Sequence, residues 1–195
     1  WALPPLPIML LCGWLVWAAF FMMTLVRGFL ELRSLRRFGL PWRHAQALAD
    51  GLAAGVHRRI EVLLHESPAG PVTFGVLRPL VVFPADAQNW DEQDLERALV
   101  HELEHVRRND WAIHCLARLT CALCWFHPLV WIASRRLTLE AERSCDDAVL
   151  KSFDAAAYAD QLVWLARKRS KARKSPALAM ANLSDLAQRV SALLN

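Results

Sequence analysis

The chain has 195 residues, a formal net charge of +4 and a hydrophobic fraction of 55%. This length suits one domain with a sizeable core and leaves room for a membrane segment, and the hydrophobic fraction is high for a soluble domain. The basic residues form local clusters, but no helix-turn-helix, zinc-finger or aromatic reader pattern accompanies them, which argues against direct nucleic-acid binding. Anionic lipid or solvent is the expected neighbour of these clusters.

Much of the apolar composition lies at the start of the chain. No charged residue interrupts the run from Leu6 to Val26, which at about 1.5 Å per helical residue can cross a hydrocarbon core of ~30 Å. The start at Trp1, without a basic region, is typical of a piece cut from a longer protein rather than of a signal peptide. The basic residues that follow are Arg27, Arg33, Arg36 and Arg37. The apolar run predicts a transmembrane helix in residues 1–28, and the positive-inside rule predicts that the domain in residues 29–195 is cytoplasmic. A buried helix of a soluble protein is the alternative.

The five cysteines form no paired framework, which suits a reducing compartment. Cys121 and Cys124 make a lone C-x-x-C without the second pair that a four-cysteine zinc site needs, so we interpret them as small core residues of a helix. The surrounding residues 112–132 are apolar but contain two histidines and an arginine, which makes a complete membrane crossing costly. We expect a buried or membrane-dipping helix there.

The chain between the apolar run and its most polar motif predicts a small sheet. We expect a helix over 41–60 and three short strands over 61–64, 72–74 and 80–83. Prolines bound these strands, which is typical of sheet edges, and an exposed edge can hold an extended peptide through its main chain. The predicted substrate-binding residues are Thr73, Phe74, Gly75 and Val76. A plain structural hairpin is the alternative.

The segment LVHELEHVRRNDW contains the motif H-E-x-x-H. Asn89 or Asp91 can begin a helix here, and a spacing of four places His101 and His105 one turn apart, where both imidazoles can reach one metal ion. Glu102 is the predicted acid/base that takes a proton from the attacking water. Because so short a motif also arises by chance, the rest of the chain has to support it.

Two histidines and a water leave a tetrahedral zinc ion one protein ligand short. A metzincin would supply a third histidine at the position of Trp111, so that class is excluded. A predicted helix over 134–150 offers acids instead. We predict Glu142 as the third ligand, with Glu140 as second choice, and Asp146 as the carboxylate that orients a ligating histidine. A solvated helix whose acids pair with nearby arginines is the alternative.

Three motifs in order, VHELEHVRRND, WFHPLVW and ERSCDDAVL, resemble the BlaR/MecR-type antirepressor metallopeptidases. The likeness extends to TFGVLRPLVVFP and to the closing LSDLAQRVSALL. It implies a membrane-bound, zinc-dependent, gluzincin-like protease in which Asp146 matches the family's acid after the cysteine. The implied Zn²⁺ ligands are His101, His105 and Glu142, with Glu102 as the catalytic acid/base.

The resemblance also implies what such a module does. Members of the family cleave a cytoplasmic repressor under the control of an extracellular β-lactam sensor, and because that sensor is not in this sequence, β-lactam sensing is not carried over. We expect a mostly helical α+β, zincin-like domain with a small edge-strand sheet, anchored by one transmembrane helix in the bacterial cytoplasmic membrane. Its predicted partners are membrane lipid and a repressor-like protein substrate. The rival function is a signalling scaffold with a structural zinc site and no proteolysis.

The C-terminal part predicts a helix over 155–168, a basic segment over 167–176 and an amphipathic tail. Self-cleavage would produce fragments that end between Arg167 and Asn182. The predicted donors to the developing oxyanion are Tyr158, the only tyrosine, or an arginine near the 134–150 helix.

Overall fold

The computed structural model describes residues 5–53, 58–172 and 186–193. The helices are α1 (Leu6–Phe38), α2 (Arg43–Leu52), α3 (Glu92–Arg108), α4 (Asp110–Leu123), α5 (Pro128–Leu150) and α6 (Ala155–Ala172). The strands are β1 (Leu40–Pro41), β2 (Glu61–His65), β3 (Val72–Phe74) and β4 (Leu80–Pro84). A 3₁₀ turn, Ala85–Asn89, precedes α3, and residues 186–193 are also helical. The predicted class, mostly helical α+β with one apolar N-terminal helix, is confirmed.

The four strands form one mixed sheet in the order β1-β2-β4-β3. The central pair, β2 and β4, is parallel, with Glu61 opposite Leu80, and the two outer strands run antiparallel to their neighbours. This order places β3 at an edge of the sheet. Among the described residues β3 pairs only with β4, so its other side faces α3 and the open cleft beside it.

Alternation along the central strands builds a core on each face of the sheet. One core joins the sheet to α2 and α3 and includes Val62, Leu64, Val81, Phe83 and Leu99. The opposite core contains Leu63, Phe74, Leu80 and Val82, with Leu32 and Leu35 of α1 packed against it. The motif helix is thus held on one face of the sheet and the end of α1 on the other.

The helix α1 is 33 residues long with a mean hydropathy of 2.1 in its most apolar window, which is long and apolar enough to cross a membrane. It continues without a break to Phe38, where it docks on the sheet. At Gly39, which follows α1, a Cβ atom would lie 2.7 Å from Leu63 Cδ1, so the close approach of helix and sheet requires glycine. The predicted domain boundary at residue 28 falls inside α1 and stays a prediction.

Two predicted elements differ from the observed ones. The helix expected over 41–60 ends at Leu52, and its first residue, Pro41, instead belongs to β1, where the next N–H, that of Trp42, bonds the Val62 carbonyl. The apolar stretch 112–132 is divided between α4 and α5. Pro128 occupies the first turn of α5 and cannot continue a preceding helix, so the chain turns there.

Candidate metal centre

The motif helix α3 supplies two histidines and a glutamate to one buried point. Its first turn carries Glu92 and Asp94 at the positive end of the helix dipole. The helix ends at Arg108, and the next residue, Asn109, caps it with a left-handed φ of 60°. The imidazole rings of His101 and His105 lie 5.0 Å apart between centroids. Both histidines therefore face α5, which packs across α3.

The helix α5 brings a carboxylate to these rings. Glu142 Oε2 lies 3.6 Å from His101 Nε2, and Glu142 Oε1 lies 3.6 Å from His105 Nε2. Glu140, the second choice for the third ligand, points away: its side chain is 66% exposed and pairs with Arg143 at 2.9 Å. The structure thus brings Glu142, and not Glu140, to the histidines.

The outer ring nitrogens are held by a second set of polar groups. His101 Nδ1 lies 2.9 Å from the Tyr158 hydroxyl, which donates to Asp146 Oδ1 at 2.7 Å. His105 Nδ1 lies 2.8 Å from Asp110 Oδ2. Each network assigns the imidazole proton to Nδ1, because the final acceptor is a carboxylate. Both Nε2 lone pairs are then free on the side of Glu142.

This donor set fits a zinc ion. Zinc takes imidazole nitrogen and carboxylate oxygen at about 2.0–2.2 Å, so tetrahedral ligand atoms are separated by about 3.3 Å. Each Nε2 lies 3.6 Å from a different oxygen of Glu142, so each pair taken alone is close to that separation. Cys145 is a rival third ligand, since its sulfur and ligand atoms of both histidines lie within 4.8 Å of one another. However, Cys145 Sγ lies 3.3 Å from His105 Nδ1, the nitrogen that Asp110 already binds. The free lone pairs favour Glu142.

The carboxylate of Glu102 is held by the edge strand. Glu102 is buried, and the Thr73 hydroxyl donates to its Oε2 at 2.7 Å. Thr73 was predicted to bind substrate, and its side chain instead contacts the predicted acid/base. Phe74 packs into the sheet core, and Gly75 turns the chain with a φ of 94°. The Val76 carbonyl accepts a hydrogen bond from Arg58, so substrate binding by this segment stays a prediction for its main chain.

A cleft of about 740 Å³ opens over these groups. It is lined by residues 67–73, leading into β3, and by side chains of α3, α4 and α5 that include Glu102, Trp111, His114 and Glu142. Burial lowers the pKa of His114, which favours its neutral form. The cleft runs from the edge strand to the histidines, so an extended chain lying in it would pass the candidate metal position.

Comparison with known proteins decides the family. The chain matches the family described as BlaR1 peptidase M56 over residues 5–193, nearly its whole length. The chain belongs to this family. The resemblance drawn from the three motifs is confirmed. The chain is thus a member of a peptidase family, with a candidate membrane-spanning helix.

Curated relatives cover part of the chain. The regulatory protein BlaR1 of Bacillus licheniformis is 41% identical over 96 residues, which is 48% of this chain and 16% of the relative. The methicillin resistance mecR1 protein of Staphylococcus aureus is 28% identical over 82 residues, or 42% of this chain and 14% of the relative. The matched segments thus span about a sixth of these relatives or less.

The observed roles of three residues at the metal centre were not predicted from the sequence. Arg189, in the helical segment 186–193, donates from Nε and Nη2 to Asp146 at 2.7 and 2.6 Å, and its Nη1 lies 2.7 Å from Glu142 Oε2. Asp110 was part of a quoted motif without a role. Tyr158 was a predicted oxyanion donor, but its hydroxyl is buried between His101 and Asp146. Only Arg189 offered a sequence signal: it lies on the apolar face of its helix, where an arginine requires an acidic partner.

The charges of the centre compensate each other. Burial alone would lower the pKa of His101, but hydrogen bonds with Asp146 and Glu142 outweigh it and raise the value to about 9. Burial would raise the pKa of Glu142, yet His101 and Arg189 hold it far below the usual range of a glutamate. The pKa of Asp146 is lowered in the same way. Burial raises the pKa of the Cys145 thiol well above its ordinary value, which keeps it neutral in this chain.

Proposed function

We propose that this chain is the peptidase module of a membrane-anchored, zinc-dependent metalloendopeptidase that hydrolyses peptide bonds in a cytoplasmic, repressor-like regulator. One observation carries the proposal: the Nε2 atoms of His101 and His105 each lie 3.6 Å from an oxygen of Glu142. Two imidazoles and one carboxylate leave a fourth coordination position open, which is the composition of catalytic rather than structural zinc sites. Membership in a peptidase family supports the same reading.

Glu102 is the proposed acid/base. A zinc ion held by the three ligands would act as a Lewis acid toward the scissile carbonyl and lower the pKa of water. Glu102 follows the first ligand directly and takes the proton from the attacking water, then returns it to the leaving amine. The Thr73 hydroxyl, bonded to Glu102 Oε2 at 2.7 Å, fixes the orientation of that carboxylate. Proton transfer then needs no rearrangement of the side chain.

The edge strand β3 is the proposed substrate-binding element. Its outer side has no strand partner among the described residues, and the cleft beside it holds about 740 Å³. An extended peptide would add to the sheet through main-chain hydrogen bonds. Main-chain pairing recognises few substrate side chains, and the Phe74 side chain of β3 packs in the core. Recognition of the regulator therefore depends on contacts elsewhere.

Membrane anchorage and sidedness follow from α1. Its apolar run is followed by four arginines, which favours a cytoplasmic position for the peptidase domain. The Bacillus relative is named a regulatory protein, which supports a role in signalling. Self-cleavage between Arg167 and Asn182 is a further part of the proposal, and residues 173–182 of that interval lie outside the described part of the chain.

Ligands and acid/base can be separated experimentally. In full-length chain purified in detergent, Glu142→Ala should lose zinc measured by mass spectrometry, because one of three protein ligands is removed. Glu140→Ala is the matched control and should keep zinc. Glu102→Gln should also keep near-stoichiometric zinc. Its rate of self-cleavage should fall by roughly two to four orders of magnitude. Substrate fragments expected in the proteome of cells that carry the wild type should decrease accordingly.

The rival scaffold function makes Cys145 a ligand of a closed structural site, and its position near both histidines is the observation in its favour. Cys145→Ala should keep zinc if the peptidase proposal is right and lose zinc if the scaffold proposal is right. Equal fragment patterns from wild type and Glu102→Gln would contradict proteolysis by this centre. If Glu140→Ala lost zinc and Glu142→Ala kept it, the third ligand would be Glu140 and not Glu142.

A further inference from the structure

The turn between α4 and α5 carries large apolar side chains that the protein leaves uncovered. We call residues 116–132 the apolar corner, and its exposed large apolar members are Leu116, Leu119, Leu123, Phe126, Leu129, Trp131 and Ile132. Phe126 is 65% and Leu129 62% exposed. In water such a contiguous surface would be unfavourable by about 25 cal/mol per Å² of apolar area.

The apolar corner lies against the apolar run of α1. The Trp14 indole N–H donates to the Leu123 carbonyl at 3.1 Å, the rings of Trp17 and Trp125 lie 5.1 Å apart, and those of Phe21 and Trp131 lie 5.5 Å apart. At about 1.5 Å per residue, these α1 contacts lie roughly 9–20 Å before Arg27 along the helix. The corner therefore sits at the level of the apolar run and not beyond its charged end.

The charge pattern of the two helices matches that position. No lysine, arginine, aspartate or glutamate occurs from Leu119 to Ser134, whereas Arg118 precedes this interval and Arg135 and Arg136 follow it. Along α4 and α5 the flanking arginines are about 8–10 Å from the turn. Long arginine side chains at such positions can extend to lipid headgroups while the helix below them stays in an apolar medium.

Three backbone N–H groups at the turn, those of Cys124, His127 and Val130, have internal carbonyl partners, which lowers the cost of placing them in an apolar medium. The His127 N–H bonds the Cys124 carbonyl at 2.9 Å, and the Trp131 indole N–H donates to the Trp125 carbonyl at 2.9 Å. The Cys121 thiol, which is buried, contacts the Val130 carbonyl at 3.6 Å. These contacts close the corner, whose outward surface consists of the apolar side chains together with exposed His127 at the turn.

We propose that the apolar corner inserts into the same lipid bilayer as α1, as a helix–turn–helix wedge that contacts acyl chains. This inference rests on the proposed membrane anchorage through α1. Lipid is the occupant because no residue of α1 is buried in the described chain, so whatever medium surrounds its apolar run also surrounds a corner packed against that run. A second copy of the chain would have to cover both surfaces at once.

The wedge sets the height of the metal centre above the membrane. Asp110 begins α4 and Glu142 lies two-thirds along α5, so both helices lead from the corner to the centre over about 20 Å. The other end of α1 is docked on the sheet through Leu32 and Leu35. With α1 held at two levels, the cleft has a fixed position close to the bilayer surface, and a substrate has to present its scissile bond there.

A depth measurement on the full chain tests the wedge. In a background with Cys12→Ala, Cys115→Ala and Cys124→Ala, which leaves only buried cysteines, the chain would carry one added cysteine labelled with the fluorophore NBD. The positions are Phe126→Cys and Leu129→Cys in the corner, Val16→Cys in α1 as positive control, and Leu77→Cys in the β3–β4 loop as negative control. Val16 is 71% and Leu77 88% exposed. The vesicles contain equal parts of phosphatidylcholine and phosphatidylglycerol, with or without brominated acyl chains.

We expect blue-shifted emission, quenched at least twofold by brominated chains, at 126, 129 and 16 but not at 77. Quenching at 16 without quenching at 126 and 129 would overturn the wedge and leave the membrane anchor standing. Blue-shifted but unquenched corner labels would overturn it in favour of a second protein copy. No quenching at any position would overturn the anchorage itself. Should the cysteine-depleted background fail to fold, wild-type chain with diazirine-bearing phosphatidylcholine gives the same decision, with cross-links expected in residues 116–132 or absent there.

Discussion

The metal centre and the apolar corner occupy opposite ends of the same two helices, α4 and α5, and each reverses the usual distribution of polarity. At the metal centre, charged groups such as Asp146 and Asp110 are buried. At the apolar corner, side chains such as Phe126 and Leu129 are exposed. Buried charge is tolerated at the first because Asp146 pairs with Arg189 and Asp110 with Arg108, and exposed carbon is tolerated at the second only if the surrounding medium is not water. One pair of helices thus joins a polar interior to an apolar exterior.

The largest expected effect that separates the two regions comes from Arg189. Arg189→Met leaves the buried carboxylate of Asp146 and the partly buried carboxylate of Glu142 without their guanidinium, and breaking a buried pair costs about 3–5 kcal/mol in the free energy of unfolding. Arg143→Met, which breaks the exposed pair with Glu140, should cost less than about 1 kcal/mol. Chemical denaturation in detergent, followed by circular dichroism, measures both. Equal losses would mean that Arg189 is not confined between the carboxylates in solution.

The hydrogen bond to His105 should tune metal affinity by a smaller amount. Asp110→Ala removes the acceptor of the Nδ1 proton, so the ring is no longer fixed with Nε2 toward Glu142, and zinc affinity should fall by about 10–100-fold. Competition with a fluorescent chelator gives the affinity. Asp110→Asn is the conservative control, because its amide oxygen can still accept the proton. If Asp110→Asn were as weak as Asp110→Ala, charge rather than ring orientation would explain the loss.

Acidity should act on the metal centre with a defined sign. In the metal-free chain the pKa of His101 is raised to about 9, so the ring is protonated at neutral pH and zinc must displace that proton. Zinc affinity should therefore rise by about tenfold or more per pH unit from about pH 6.5 to 9. Because the folded pKa lies above the unfolded value, the metal-free chain should lose stability over the same window. Calorimetry in two buffers of different ionisation enthalpy measures the released proton, and a flat profile would contradict the prediction.

The smallest effect is expected at the apolar corner. In detergent, Leu129→Ala should change the free energy of unfolding by less than about 0.5 kcal/mol, because 62% of this residue is exposed. Leu99→Ala, a fully buried leucine of α3, should cost about 2–5 kcal/mol. A large loss from Leu129→Ala would show that protein, rather than lipid or detergent, covers the corner.

Local pattern was enough for the ligands that share an element. His101, Glu102 and His105 are related by the helical repeat alone, so their arrangement could be predicted once α3 was predicted. The preference for Glu142 over Glu140 rested on an apolar face predicted at Leu137, Ala141, Cys145 and Ala148, of which Ala141 and Cys145 are buried in α5. The short strands could be predicted from their prolines and β-branched residues, but the start of α2 could not, since it depends on the pairing of Pro41 with β2.

What the sequence by itself determined about this protein is therefore its class, its membrane helix and the motif groups of its centre, because helical periodicity and hydropathy are properties of neighbouring residues. Tertiary structure alone decided that Arg189 neutralises Glu142 and Asp146, that Asp110 holds His105, and that Thr73 binds Glu102. Each of these contacts joins elements whose separation along the chain carries no information about distance in space. The apolar corner follows the same rule: its composition was visible, but only its packing on α1 sets its level relative to the apolar run.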